Sequence, residues 1–159
     1  MKILTERLVI TEFDEGMAYD FHANSLDGDN REFVPDEVCE TEAEALVKLR
    51  WLIGCYEKAD SPLVYAVLLN GAQIGHVQAC PIHQGWEIGY HIAKAHTGRG
   101  YATEATMAFL PWAMRRLGIG EIYGICRADN PASRRVLEKC GFALRTERAV
   151  CEYVYRKAT

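Results

Sequence analysis

The sequence predicts an α+β domain, in which helices pack on a mostly antiparallel sheet. Two β-rich runs, residues 63–69 and 73–79, flank an Asn-Gly pair at 70–71, which is the strongest short hairpin signal in the chain. Two further strand-like runs, residues 143–148 and 151–156, close the chain. Together with the helices that precede them, these runs favour an α+β domain over a doubly wound parallel sheet.

The N-terminal half of the chain adds one strand and two helices. Residues 7–11 form the first strand, and Asp14 can cap a helix whose apolar residues are Met17, Ala18 and Phe21. The acidic residues 27–40 indicate an irregular segment. Thr41 followed by Glu44 is a capping-box signature for a second helix, with an apolar face of Ala45, Leu46, Leu49, Leu52 and Ile53.

The C-terminal half supplies the remaining strands and two more helices. A strand at residues 85–92 precedes a glycine loop and a helix that ends at Gly118 and has an apolar stripe of Ala102, Ala105, Phe109, Trp112 and Ala113. Pro111 predicts a kink or an early break in this helix, because proline removes a backbone hydrogen bond at a cost of about 3 kcal/mol. A strand at 121–126 and a helix at 131–139, ended by Gly141, lead into the closing strands.

Length and composition indicate one domain spanning residues 1–159. A chain of this size buries roughly two-thirds of its unfolded surface, and 25% charged with 49% hydrophobic residues is ordinary for a soluble protein. No apolar run approaches the roughly 18 residues that span a bilayer, and no secretory signal is visible, so we expect a cytoplasmic protein without a membrane partner. The net charge of −4, from 22 acidic and 18 basic residues, argues against a nucleic acid partner.

The six cysteines are scattered and include no Cys-x-x-Cys pair; they are Cys39, Cys55, Cys80, Cys126, Cys140 and Cys151. In a chain without an export signal, such cysteines are expected to be reduced and mostly buried. The sequence therefore predicts no metal site.

The glycine loop and helix start at residues 96–105, HTGRGYATEA, predict an anion site. Glycines let the backbone approach a ligand, while the free N–H groups and the dipole of the helix point towards it. A P-loop has Lys and then Ser or Thr directly after its last glycine, whereas here Gly100 is followed by Tyr101 and Ala102. The dinucleotide fingerprint would need a third glycine where Thr103 stands. The loop therefore suits a pyrophosphate without matching either motif.

Read together with residues 130–142, NPASRRVLEKCGF, the glycine loop resembles the GNAT superfamily of acetyl-CoA-dependent N-acetyltransferases. It is most similar to the RimJ/RimL-like branch of ribosomal-protein N-terminal acetyltransferases, as are LTERL at residues 4–8 and QIG at 73–75. The resemblance spans nearly the whole chain. It implies a GNAT-like fold, with a mixed, mostly antiparallel sheet of six to seven strands flanked by about four helices. It also implies that acetyl-CoA lies where two strands splay apart.

The resemblance further implies which residues bind acetyl-CoA. The pyrophosphate would be held by the backbone of Gly98, Arg99, Gly100, Tyr101 and Ala102, with Arg99 adding a positive side chain. Thr97 departs from the Gln or Arg usual in the family, although its hydroxyl can still donate a hydrogen bond. The pantetheine arm would pair with the backbone of His91, Ile92 and Ala93, which also offers an oxyanion donor.

The proton-transfer residues come partly from the resemblance and partly from the strand pattern. Asn130 and Ser133 match an asparagine that contacts the cofactor and a serine proposed to protonate the CoA thiolate, although Asn130 is also a good N-cap. The tyrosine that many GNAT enzymes place ahead of the Gly-Phe pair is absent. Strand alternation puts Glu87 on the same face as His91, so either can serve as base through water or be only structural.

Several acceptors agree with the sequence. A protein N-terminus is favoured, since an α-amine with a pKa near 8 needs a weaker base than Lys, with a pKa near 10.4. An aminoglycoside or polyamine is an alternative acceptor, and a non-catalytic acyl-CoA-binding module is an alternative function. A cationic acceptor can be attracted by Asp27, Asp29, Glu32, Asp36 and Glu37, which can also simply be solvated. Family relatives are often dimers, so a homodimer is one expected assembly.

Overall fold

The computed structural model describes residues 1–33 and 35–158. Over these residues the chain forms one eight-stranded sheet and five α-helices. The strands are β1 (Lys2–Leu4), β2 (Val9–Thr11), β3 (Leu63–Leu69), β4 (Ala72–Ile82), β5 (Gly85–Ile92), β6 (Glu121–Arg127), β7 (Ala143–Glu147) and β8 (Val150–Arg156). The helices are α1 (Ala18–Ser25), α2 (Gly28–Phe33), α3 (Glu42–Cys55), α4 (Tyr101–Leu117) and α5 (Pro131–Lys139), with 3₁₀ turns at Glu15–Met17, Pro35–Glu37 and Lys94–His96.

The sheet is mixed and mostly antiparallel, in the order β1-β2-β3-β4-β5-β6-β8-β7. β5 and β6 pair in parallel, whereas the other neighbouring strands pair antiparallel. The predicted α+β class is therefore confirmed. The described residues contain one strand and one helix more than predicted, because the three residues of β1 and the six of α2 are too short to show a periodic pattern.

Helices cover both faces of the sheet. α4 packs on β4 and β5, and α5 contacts β6 and β7, so a large core forms between these helices and the sheet. On the opposite face α1 packs against α3 and β4, and a second core forms around Phe21, Leu49, Leu52 and Val64. Each core corresponds to the apolar face that helical spacing predicts for α3 and α4.

Turn and cap predictions are largely confirmed. Asn70 and Gly71 both have positive φ, as the hairpin turn between β3 and β4 requires. Thr41 accepts a hydrogen bond from Glu44 N at 3.1 Å and caps α3. Asp14 is an exception, because it precedes a 3₁₀ turn without a side-chain cap, and α1 begins only at Ala18.

The prediction of an irregular segment at residues 27–40 is wrong for α2; Val34 lies outside the described residues. The backbone carbonyl of Asp27 accepts from Asn30 N at 3.0 Å and Arg31 N at 3.4 Å, which starts the helix. Asn30 is buried, and its side chain donates to the carbonyls of Asn24 and Ser25. Hydrogen bonds to the adjoining end of α1 therefore stabilise a helix whose residues show no apolar periodicity.

Pro111 does not break α4, which continues to Leu117, so the predicted early break is wrong. The carbonyl four residues earlier belongs to Met107, whose side chain is exposed, as is Pro111 itself. On this outer face water can bind the freed carbonyl, and buried residues such as Phe109 and Ala113 anchor the helix on the opposite face.

All six cysteines are free thiols, and four of them are buried. Within residues 1–33 and 35–158, no group of three or more His, Cys, Asp or Glu side chains could hold a metal ion. No helix in the same part of the chain has the length and apolar character to cross a membrane.

Candidate active site

A cleft opens where β5 and β6 separate. The two strands keep register only at Glu87 with Tyr123 and Ile88 with Gly124, and they diverge towards their carboxyl ends. The resulting cavity has a volume of about 440 Å³ and runs from α2 to the start of α4 and α5. Separated strands leave backbone groups free of sheet pairing, so this cleft can bind an extended ligand along its edges.

Most of the predicted site residues line this cleft: Glu87, His91, Ile92, Thr97, Ala102, Asn130 and Ser133. The glycine loop borders the cleft at the start of α4, because Thr97 and Ala102 line the cleft and the loop residues lie between them in the chain: Gly98, Arg99, Gly100 and Tyr101. The structure therefore brings together the two distant segments that carry the resemblance.

The glycine loop has the backbone conformation that its sequence predicts. Gly98 and Gly100 have φ of 77° and 81°, a region that side-chain-bearing residues rarely adopt. Gly100 is the N-cap of α4, whose free N–H groups begin at Tyr101. Thr97 donates its hydroxyl proton to the carbonyl of Lys94 at 2.8 Å, so this proton is used within the loop.

Arg7, which sequence reasoning did not assign to the site, braces the glycine loop. Its side chain donates to Glu104 Oε2 at 2.7 Å and to the carbonyl of Arg99 at 2.9 Å, and it stacks 4.5 Å above the Tyr101 ring. Burial disfavours the charge of Glu104, but hydrogen bonds from Thr5 and Arg7 hold the pKa of this carboxyl below its usual value. These contacts join the LTERL segment at residues 4–8 to the GYATEA segment at residues 100–105.

The backbone N–H and C=O groups of β5 point alternately towards β4 and towards the cleft. Ala93 donates its N–H to the carbonyl of Ile74 at 2.7 Å, so this group is already bonded. Successive residues of a strand direct their backbone groups to opposite sides, so the N–H of Ile92 points towards the cleft. Of the three predicted backbone positions, Ile92 is thus the one placed to donate to a ligand.

Glu87 and His91 lie on one face of β5 but differ in proton affinity. Burial, together with the negative charge of Glu37, raises the pKa of Glu87 to about 7. Burial and the neighbouring His76 lower the pKa of His91 to about 4. At neutral pH Glu87 is therefore near its midpoint, whereas His91 is neutral and a weak base.

Ser133 is held at the start of α5 by contacts with two residues, Asn130 and Tyr90. Its N–H donates to Asn130 Oδ1 at 3.2 Å, which confirms the predicted N-cap. Its hydroxyl lies 3.0 Å from the hydroxyl of Tyr90, which also donates to the Ser133 carbonyl at 2.9 Å. Burial raises the pKa of Tyr90, so this phenol stays protonated. Strand alternation places Tyr90 on the face opposite Glu87, and no local signal connects it with a serine 43 residues away.

The predicted acidic residues separate into three environments. Asp27 Oδ2 accepts from Lys94 N at 2.7 Å and lies 3.6 Å from His91 Nε2. Asp29 and Glu37 line the cleft, and Glu37 Oε2 is 3.7 Å from His76 Nε2. Glu32 and Asp36 are exposed and do not line it. Only part of the acidic segment therefore lines the cleft.

Comparison with protein families identifies one match over most of the chain. The family model described as an acetyltransferase (GNAT) domain matches residues 7–143. An uncharacterized N-acetyltransferase of Bacillus subtilis, YnaD, is 27% identical over 146 residues, a match that covers 89% of this chain and 82% of its own.

Solved structures share the fold across the full length. An acetyltransferase from Salmonella typhimurium that modifies the N-terminal serine of 50S ribosomal protein L7/L12 superposes with a TM-score of 0.83 at 19% identity, covering 99% of this chain and 100% of its own. RimL, the ribosomal L7/L12 α-N-protein acetyltransferase, in complex with coenzyme A, gives 0.82 at 20% identity and 98% coverage of both chains. At these identities the likeness concerns the fold.

Proposed function

The chain belongs to the GNAT acetyltransferase family, and on that premise we propose that it transfers an acetyl group from acetyl-CoA directly to the α-amine of a protein N-terminus. One observation carries this proposal. The cleft between β5 and β6 contains a carboxyl, Glu87, with a pKa near neutrality, at the opposite end from a glycine loop at a helix start. Such a site offers a base for an amine and a cradle for a phosphate group.

The residues present fit acetyl-CoA as the acyl donor. Left-handed glycines and the N-terminus of α4 suit a pyrophosphate, and the backbone edge of β5 suits an amide-containing arm. When bound, acetyl-CoA supplies the thioester that is transferred. Arg7 fixes the loop conformation through Arg99 and Glu104. We assign the Ile92 N–H to stabilise the carbonyl oxygen of the thioester.

Glu87 is the group we assign to deprotonate the acceptor. An α-amine has a pKa near 8, within about one unit of the pKa of Glu87, so a proton can pass to this carboxylate directly or through water. His91, with a pKa of about 4, is a weaker base than Glu87 by about three pKa units. We therefore assign it no proton transfer, and it lines the site as a neutral side chain. A Lys acceptor, with a pKa near 10.4, would be deprotonated far less readily.

Ser133 is the group we assign to protonate the departing thiolate. The Tyr90 hydroxyl donates to the backbone carbonyl of Ser133 and keeps its own oxygen 3.0 Å from Ser133 Oγ. Because the phenol proton is donated to that carbonyl, the Tyr90 oxygen accepts from Ser133 Oγ–H and holds the serine hydroxyl in one orientation, which makes Tyr90 a positioning residue. The proton that Ser133 gives to the thiolate is then replaced from solvent.

Direct transfer is supported by the state of the cleft cysteine. Cys126 lines the cleft, but burial raises the pKa of its thiol and keeps it protonated at neutral pH. A neutral thiol is a poor nucleophile, which disfavours an acetyl-cysteine intermediate. The acceptor amine is then the nucleophile.

Tyr90→Phe is expected to lower kcat about fivefold, the effect of one hydrogen bond of about 1 kcal/mol, with little change in the KM for acetyl-CoA. Steady-state kinetics measures both constants. In a Ser133→Ala background the same substitution should have no further effect, because the residue that Tyr90 positions is gone.

The matched control is Tyr65→Phe, which removes a phenol hydroxyl from the buried core around Phe109 and Trp112. It should leave kcat unchanged. An additive loss of activity in the Tyr90→Phe, Ser133→Ala double variant would show that Tyr90 acts independently of Ser133.

The proposed function is tested by titrating acetyl-CoA and CoA calorimetrically into wild type and Gly100→Trp. Wild type should bind both ligands, and the variant should lose measurable binding, since the indole would fill the turn at the start of α4. Thiol release with a peptide bearing a free N-terminus should then report acetyl transfer.

Gly118→Trp is the matched control for this experiment. Gly118 also has positive φ, 67°, but it caps the other end of α4, so the variant carries similar backbone strain away from the cleft. It should bind acetyl-CoA like wild type. No binding to wild type would refute acetyl-CoA as donor, and binding without thiol release would favour a non-catalytic acyl-CoA-binding module.

A further inference from the structure

A second cavity adjoins the cleft on the other side of Glu37. It has a volume of about 170 Å³ and lies between α1, α3 and β4, inside the second core. Four residues line both cavities: Asn30, Glu37, Gln78 and His91. The two spaces are therefore neighbours that share one wall, and a ligand in the cleft can extend into the smaller cavity.

The shared wall carries a negative charge, which attracts the ammonium form of an amine. Glu37 is partly exposed there and is close enough to Glu87 that its negative charge contributes to the raised pKa of that residue. An ammonium group at the shared wall, which we call the junction of the two cavities, would be attracted by both carboxyls. Loss of its proton to Glu87 would leave a neutral amine as the nucleophile beside the cleft. We therefore expect the reacting nitrogen at the junction, with the side chain of the amine-bearing residue in either the cleft or the second cavity.

Beyond the junction the second cavity is suited to an apolar group. One wall is formed by the side chains of Phe21, Trp51, Leu52, Pro62 and Val64. Phe21, Leu52 and Val64 are buried, and Trp51 stands partly exposed at the rim. These side chains offer dispersion contacts and no charge to a group that enters.

Three polar side chains of the cavity lining already have hydrogen-bond partners. Asn24 Nδ2 donates to the backbone and side-chain oxygens of Gln73, both at 2.9 Å, and Gln73 Nε2 donates to the carbonyl of Gly75. Ser25 Oγ donates to the carbonyl of His22 at 2.8 Å and accepts from Cys39 N at 3.0 Å. Because these amide and hydroxyl groups are satisfied internally, they give a polar ligand little reason to enter. Lys48 and His76 also line the cavity: burial and the charge of Lys48 lower the pKa of His76 to about 4, so His76 is neutral, and the Lys48 charge disfavours a cationic side chain in this space.

The volume sets the size of the group. A dry apolar cavity of about 150 Å³ is large enough to bind benzene, so a cavity of about 170 Å³ can take a phenyl ring or a branched aliphatic side chain. Small groups such as methyl or hydroxymethyl would leave most of it empty and forfeit contacts with its lining.

We propose that this cavity selects acceptors whose α-amine carries a large apolar side chain, of the size of Leu, Met or Phe, as the first residue of a peptide. This inference rests on the proposed function, because it places the amine of that residue between Glu37 and Glu87. It distinguishes the chain from the Salmonella acetyltransferase of the same fold, which modifies an N-terminal serine.

The experiment compares peptides that are identical except for the first residue, which is Phe, Leu, Met, Ala or Ser. With acetyl-CoA, kcat/KM should be at least tenfold higher for the three large residues than for Ala and Ser, as expected for filling an apolar pocket. Cys80→Phe, which adds a ring from β4 to the cavity lining, should remove this preference by lowering kcat/KM for Phe, Leu and Met peptides more than for Ala and Ser peptides. Val47→Phe adds the same ring on the exposed face of α3 and should change nothing.

Binding without turnover separates this inference from the proposed function. In the presence of CoA, L-phenylalaninamide should bind wild type at least tenfold more tightly than L-serinamide, and Cys80→Phe should lose the difference. Equal acetylation of Ala, Ser and Phe peptides would overturn the inference while leaving the acetyltransferase intact. If no peptide is acetylated, the proposed acceptor is wrong, and equal affinity for the two amides would then overturn the cavity's selectivity as well.

Discussion

Replacing Glu87 by Gln is expected to lower kcat/KM for amine acetylation by about 10² to 10⁴, the usual contribution of a general base. The amide keeps the shape of the carboxyl but cannot accept the amine proton. Because Glu87 has a pKa of about 7, the ratio of wild-type to variant kcat/KM should grow as pH rises through this value and then level off. The ratio of wild-type to variant kcat/KM measures this directly, since ionisation of the acceptor amine cancels in it.

Glu121→Gln is the control for this prediction. Glu121 is a strand carboxylate at the start of β6, hydrogen-bonded to Tyr123 and Arg156, and it does not line the cleft. Its substitution should leave kcat/KM within about twofold at every pH. A ratio for Glu87→Gln that does not change with pH would exclude Glu87 as the titrating base.

The same pKa shift affects stability. Folding raises the pKa of Glu87 from 4.5 to about 7, so the folded protein binds more protons than the unfolded chain between these pH values. The free energy of unfolding contributed by this group therefore decreases as pH rises through that interval and stays lower above it. Glu87→Gln should accordingly melt at a higher temperature than wild type at pH 8 and not at pH 4.5, as scanning calorimetry would detect.

Gly75→Ala is expected to destabilise the protein by about 3 kcal/mol and lower Tm by about 6–12 °C. A Cβ at this position would overlap the carbonyl oxygen of His91 and approach Ile92 Cα to 3.0 Å. Both are backbone atoms of β5, so neither can rotate away. Thermal unfolding measures the loss, and the shifted backbone should also weaken acetyl-CoA binding, because Ile92 borders the cleft.

Gly54→Ala is the matched control, with an effect of opposite sign. Gly54 lies inside α3, and apart from its chain neighbours and the nearby helix backbone, no described atom lies within 4 Å of an added Cβ. Alanine is the better helix former by about 0.5–1 kcal/mol, so Tm should rise slightly. A Gly75→Ala variant as stable as wild type would mean that β4 and β5 can separate at this point without loss.

Local sequence signals predicted most of the elements that build the site. The hairpin at Asn70, the Asn130 cap and the glycine loop each depend on backbone conformations that a few neighbouring residues determine. Glu87 and His91 were placed on one face by strand alternation alone. Their proton affinities were not predictable, because burial and the charges of distant residues decide them.

Contacts between distant segments account for what sequence reasoning missed. Arg7 reaches Glu104 across 97 positions, and Tyr90 reaches Ser133 across 43. Helix α2 was missed for a different reason: its acidic sequence shows no apolar period, and the buried Asn30 side chain stabilises it by donating to the carbonyls of Asn24 and Ser25 at the end of α1. Glu37 lines both cavities only because this segment folds over β4 and β5.

By itself, the sequence determined the α+β class, the family resemblance and the two segments expected to bind the donor, because these follow from short-range patterns of residue type and spacing. Only the tertiary structure decided which carboxyl is buried enough to act as base, which hydroxyl pairs with Ser133 and what space lies beside the reacting amine. Those properties arise from desolvation and packing among residues far apart in the chain, and no local pattern encodes them.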